Sequence, residues 1–156
     1  MELLADAVSM TFTLGLILPG FYFLATQDFY YIGVIGAVLG ANALVMGIKP
    51  FLVAVLGSHD PWIRPIGARN CNALGDGGAS GGRPGFPSGH MTTATVCVSA
   101  LWLRDHNPLI LWLGIPWIVA MGWARWAKQC HNWQQILGGI AFGVTCAAAL
   151  HWFYAQ

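Results

Sequence analysis

Two short segments of this sequence place side chains where they can handle an anion such as phosphate. Pro87-Ser88-Gly89-His90 opens an apolar run. Ser88 there is a good helix N-cap, and the unpaired amides of a first helical turn, at the positive end of the helix dipole, make a ready anion site. His90 in that turn can donate a proton to a leaving oxygen. The plainer alternative is a capped helix start with an interfacial histidine. Further on, Arg125 precedes His131 by six positions, and His131 precedes Gln135 by four. A helix starting near His131 puts His131 and Gln135 on one face, where they can touch. The planar fork of Arg125 can bind two oxygens of one phosphoryl group, and a neutral imidazole can attack phosphorus. Taken alone, Arg125 and Lys128 among Trp123, Trp126 and Trp133 read more simply as cations snorkelling at a membrane surface.

The elements that must position these residues follow from composition. Of 156 residues 56% are hydrophobic and 8% charged, against roughly 25% charged in an ordinary soluble domain. So few charges cannot clothe a water-soluble surface, whereas a bilayer favours an apolar exterior. The length suits one domain, residues 1–156, and a net charge of +1 offers nothing to a nucleic acid.

Five apolar runs predict an all-α integral membrane protein, a bundle of about five transmembrane helices. They extend from about Ala7 to Ala25 and from Tyr30 to Gly57 (with a break at Lys49-Pro50), then from Ser88 to Leu103, Pro108 to about Ala124, and Gln134 to Tyr154. The first begins with Glu2 and Asp6, which argues for a retained helix and against a signal peptide. Tyr30 to Ile48 is long enough by itself to cross a hydrocarbon core of about 30 Å. Glycines and alanines on the second and fifth helices suggest close helix packing. Between Ser58 and Pro87 the chain is rich in Gly and Pro, which predicts an aqueous loop over about 58–87.

Five crossings put that loop and the turn between the fourth and fifth helices on one face. Together they hold Lys49, Arg64, Arg69, Arg83, Arg125 and Lys128, six of the seven basic residues. The positive-inside tendency assigns this face to the cytoplasm. Cys97 and Cys146 lie in apolar runs as small buried hydrophobes. Cys71 and Cys130 fall in two polar segments of that same face, with free thiols as the default and a disulfide as the alternative. His59, His106 and His151 read as interfacial. The histidines are scattered and the six carboxylates do not converge in sequence, so neither a metal nor another cofactor is expected.

In combination, Arg64-Pro65, Pro-Ser-Gly-His and Arg-x5-His stand in the order of the three motifs of the type 2 phosphatidic acid phosphatase superfamily, which the segment from Lys49 to Gln135 resembles. That superfamily contains lipid phosphate phosphatases, polyprenyl-diphosphate phosphatases and vanadium haloperoxidases. Its pattern is Lys-x6-Arg-Pro, Pro-Ser-Gly-His and Ser-Arg-x5-His-x3-Asp. The resemblance implies that Lys49, Arg64, Ser88, Gly89 and Arg125 hold a phosphate. His90 would protonate the leaving group, and His131 would attack to form a phosphohistidine that water later hydrolyses. It further implies metal-independent hydrolysis of an amphiphilic phosphorylated lipid, a phosphatidic acid or a polyprenyl diphosphate.

Three positions depart from the pattern. Lys49 lies fifteen positions before Arg64 where the family has seven, Ala124 replaces Ser, and Gln135 replaces the Asp that orients the nucleophilic histidine. Loss of that carboxylate leaves a rival reading: a catalytically weak or silent phosphatase-like protein with a structural or headgroup-binding role. On the enzyme reading, Gln135→Asp should raise turnover by ~10²–10⁴. Arg83 either lines the phosphate site or keeps the loop soluble. Asp76 reads as a turn former, with a stand-in for the missing carboxylate as the alternative.

Overall fold

The structure, a computed structural model, describes residues 1–71 and 78–156; Asp76 lies outside the described residues. Helices α1 (Glu2–Met10) and α2 (Leu14–Thr26) are joined by a single 3-10 turn, Thr11–Thr13, into one arm. Trp117 Nε1 donates to Thr11 Oγ1 at 2.8 Å and fixes that turn to the bundle. Then come α3 (Tyr30–Leu56), α4 (Gly89–Asp105), α5 (Pro108–Ala127) and α6 (Trp133–Tyr154). Two boundaries differ from the sequence expectation. The first arm already begins at Glu2, and α3 runs unbroken through Lys49-Pro50. Lys49 therefore rides on the far end of a continuous rod, about 28 Å from Tyr30 at 1.5 Å per residue.

Among the described residues four rods are long and apolar enough to cross a membrane: the α1–α2 arm, α3, α5 and α6. The fifth, α4, has 17 residues and is the core of the bundle. Met91 to Val98, Ala100 and Leu101 are all buried, and α2, α3, α5 and α6 pack around it. Its exterior is protein, so Thr92, Thr93 and Thr95 are tolerated there. Apolar side chains such as Phe21, Leu39, Met46, Trp112, Val119 and Phe153 point outward from the surrounding helices. An outward apolar surface suits lipid. The chain is thus a multi-pass, all-α membrane protein.

The small residues of α6 let it approach α4 closely. A Cβ on Gly139 would meet Ser88 O at 2.6 Å, and one on Gly143 would meet Thr92 O at 2.9 Å. Three of the four glycines of α3 behave otherwise: Gly36, Gly40 and Gly47 have open space around them, whereas a Cβ on Gly33 would meet the Tyr154 ring at 2.8 Å. α3 packs instead through Tyr30, Val34, Val38, Ala41 and Val45, whose spacing of three and four traces one helical stripe.

The long loop carries no helix among its described residues. Isolated bridges Ile63–Pro84 and Arg69–Ala79 fold it into a narrow flap. This flap is fastened across the mouth of the bundle: Cys71 and Cys130 form a disulfide, and Lys128 Nζ donates to Asn70 O at 2.9 Å. Free thiols at these two positions were the expectation. The flap folds back over the α5–α6 turn and brings the two Cα atoms to 5.5 Å, within bonding reach. At the opposite end of the bundle Arg104 pairs with Asp28 at 2.5 Å, and the Tyr31 hydroxyl donates to Asp105.

Candidate active site

Beneath the flap, the start of α4, the end of α5 and the start of α6 meet. Ser88 N–H donates to Gln135 O at 3.0 Å, and Asn132 caps α6 by accepting from Gln135 N–H at 2.9 Å. Ser88 is the N-cap of α4, yet its hydroxyl makes no capping bond; Ser88 is fully buried and its Oγ has no partner among the described residues. Gly89 passes tightly under α3, where a Cβ would stand 3.1 Å from Asn42 Oδ1. Asn42 in turn donates to Thr93 Oγ1 at 2.7 Å and holds the two helices in register.

Arg125, though charged, is 0% exposed. Its Nη2 donates to Cys71 O at 2.9 Å and its Nη1 to Ser9 Oγ at 3.3 Å. His131, 2% exposed, sits just past α5, with Nδ1 at 2.9 Å from Gln135 Oε1. Burial holds the His131 ring well below the ordinary histidine pKa, and the positive charges of Arg125, Lys49 and Arg64 add to that effect. Lys49 thus lies within electrostatic reach of His131 despite its displaced position in sequence. Because α3 is unbroken, Lys49 arrives from the helix and not from the loop. Arg64 comes from the flap, and burial and then the charge of Arg83 lower its pKa. Arg83 itself is exposed and belongs to the rim. His59 and His106 are exposed, and His151 is half-buried near Tyr30 at the opposite end of the bundle.

Among the described residues, five buried side-chain polar atoms lack a hydrogen-bond partner. Four of them are Arg64 Nε, Ser88 Oγ, His90 Nε2 and Arg125 Nε. Buried polar groups are normally paired, so unpaired polar atoms on Arg64, Ser88, His90 and Arg125 suit a multi-oxygen anion.

Three contributors escaped the sequence reading, and all come from the first arm. Ser9 holds Arg125, Asp6 pairs with Lys128 at 2.5 Å, and the Phe12 ring lies 4.9 Å from that of His90. Asp6 did carry a usable signal, since a carboxylate on an apolar helix needs a partner. Ser9 and Phe12 carried none.

These features define a multi-pass helical membrane protein with a buried cationic site under one face. A family model for the PAP2 superfamily matches residues 29–156, and the chain belongs to that superfamily, one of phosphatase-type activity on phosphorylated lipids. The arm that supplies Asp6, Ser9 and Phe12 precedes the matched region. No curated protein and no solved structure matches the chain.

Proposed function

We propose that the protein hydrolyses the phosphate ester or diphosphate of an amphiphilic lipid through a phosphohistidine at His131. The observation that carries this reading is the set of unpaired buried atoms on Arg64, Ser88, His90 and Arg125. A tetrahedral phosphoryl group offers acceptors to each of them, with Lys49 adding charge. The His131 Nε2 lone pair attacks phosphorus, the P–O bond to the lipid breaks, and His90 delivers a proton to the departing oxygen. Water then attacks the phosphohistidine, gives its proton back to His90, and the P–N bond breaks to release inorganic phosphate. The cations stabilise the charge that gathers on the equatorial oxygens. A site at the helix ends suits a substrate whose phosphate lies at headgroup level and whose chain stays in the bilayer.

We place the site on the oxidising side of the membrane, against the cytoplasmic assignment from counting basic residues. A structural disulfide between Cys71 and Cys130 is at odds with a reducing cytosol. Moreover Lys49, Arg64 and Arg125 are used in the site and Lys128 is paired with Asp6. Arg104 on the opposite face is likewise paired with Asp28, so charge counting is left with Arg69 and Arg83 alone, too little to orient the chain.

The test is phosphate release by purified protein in detergent from a phosphatidic acid and from a polyprenyl diphosphate. Wild type should turn over at least one of them, with an acid-labile phosphoprotein trapped on quenching. His131→Ala should abolish both signals. No release from either lipid by well-folded wild type would overturn the proposal.

A further inference from the structure

Gln135 occupies the position where the superfamily pattern has a carboxylate, and its amide is fully engaged. Nε2 donates to Pro61 O at 2.7 Å and to Ile63 O at 2.6 Å, both on the flap just before Arg64. A primary amide has two N–H groups, and both are thereby consumed. Rotating the amide by half a turn would set Oε1 against two carbonyl oxygens, so the two flap carbonyls fix which end faces His131. That end is Oε1, 2.9 Å from Nδ1. An amide oxygen only accepts, so Nδ1 must carry the ring proton. The lone pair of the neutral ring is then on Nε2. Gly85 provides the room, since a Cβ there would come within 2.7 Å of Gln135 Nε2.

We infer that Gln135 is a positioning residue which, locked by the carbonyls of Pro61 and Ile63, sets the tautomer of His131 and presents Nε2 for attack. Gln135 therefore takes over the orienting task of the carboxylate by a different connection, and it couples that task to the flap that carries Arg64. Aspartate in its place would be one methylene shorter and would leave both flap carbonyls facing a group with no N–H. The expectation that Gln135→Asp raises activity is reversed: in this chain it should lower it. The attack on phosphorus rests on the function proposed above, whereas the tautomer does not.

The experiment has two arms for that reason. In the first, protein with ¹⁵N-labelled histidine is examined by NMR in detergent, the His131 ring being assigned by its loss in His131→Ala. Wild type should show a neutral ring protonated at Nδ1, and Gln135→Met, which keeps the length and removes the bonds, should show a mixture with the Nε2 form. An Nε2-protonated ring in wild type, or an unchanged ring in Gln135→Met, overturns the inference. Should Gln135→Met fail to elute as one species, the wild-type ring still decides. In the second arm, kcat for phosphate release should fall about tenfold or more in Gln135→Met and in Gln135→Asp, with KM little changed. A Gln135→Asp enzyme faster than wild type also overturns the inference. A wild type with no turnover but the expected tautomer would sink the function and leave the positioning role standing.

Discussion

Ser88 donates its backbone N–H to the carbonyl oxygen of Gln135 at 3.0 Å, so the first turn of α6 holds the start of α4 directly. The two motif segments are one mechanical unit, although a whole helical hairpin separates them in the chain. A change that parts α4 from α6 should therefore disturb the site before it unfolds the bundle. Gly139→Ala is the sharpest such change, because the new methyl would meet Ser88 O at 2.6 Å and Met91 Cβ at 2.8 Å. It should cost about 1–3 kcal/mol of stability. Phosphate release should fall at temperatures where the variant is still folded. Thermal unfolding in detergent and initial rates, measured side by side, check this.

Ser9 is the anchor of the first arm on Arg125. Ser9→Ala removes an acceptor at 3.3 Å from a buried guanidinium and leaves an N–H without a partner. Hydrogen bonds to charged groups contribute about 1.5–3 kcal/mol, and this one is long, so a loss of about tenfold in kcat/KM is expected. Unchanged kinetics would show that the arm only shields the site.

Lys49 has no salt-bridge partner among the described residues, yet its charge acts on His131. Lys49→Met should raise KM for a lipid phosphate and weaken competition by inorganic phosphate, with a smaller effect on kcat. Lys49→Arg should restore much of the binding. Inhibition constants for inorganic phosphate give the comparison directly.

His131 makes stability depend on pH in a definite direction. Its folded-state pKa lies well below the ordinary value because of burial, and then because of Arg125, Lys49 and Arg64. Unfolded, it returns to about 6.5. Between those values the unfolded chain binds the extra proton. The stabilising contribution is complete above about pH 6.5 and is lost as the pH falls through the folded value. The slope from this one residue approaches 1.4 kcal/mol per pH unit. The unfolding midpoint should drop between pH 7 and pH 5, and it should drop less in His131→Gln. An identical acid slope in the variant would exclude His131 as its source.

The disulfide closes a loop across a sequence separation of 59, and constraining a loop of that length is worth on the order of 4 kcal/mol. Without reductant, thiol tagging of the denatured chain should mark two of its four cysteines, Cys97 and Cys146. With reductant it should mark all four. Reduction should also lower activity, because Arg125 Nη2 uses the carbonyl of Cys71 as its acceptor.

How far the sequence went depended on whether a residue's task was local. Ser88 and His90 at a helix start, and His131 with Gln135 four residues on, were legible because both arrangements are set by the helix itself. The apolar runs gave the rods to within a few residues, except at Glu2, where the arm extends to meet Lys128 and Arg125. The place of Lys49 was not legible because it lies fifteen positions before Arg64 where the pattern has seven, and the spacing does not show that α3 continues to Leu56 and carries Lys49 on a helix. The covering arm depends on its packing against α5, and the disulfide and the seat of Gln135 on how the flap folds over the bundle. Nothing in a Gly- and Pro-rich stretch encodes that path by periodicity.

The enclosure of α4 also bears on how the chain is made. A helix of 17 residues carrying His90, Thr92, Thr93, Thr95, Arg104 and Asp105 is a weak candidate for leaving the insertion machinery on its own. The earlier α2 and α3 cover part of it, and its shelter is complete only when α5 follows and α6 closes over Ser88 and Met91. Biogenesis of this protein is therefore expected to deliver α4 and α5 as a hairpin, with α4 the last to be fixed in place. In a staged-truncation assay, α4 presented alone should stay accessible to solvent, and it should become protected once α5 and α6 have been made.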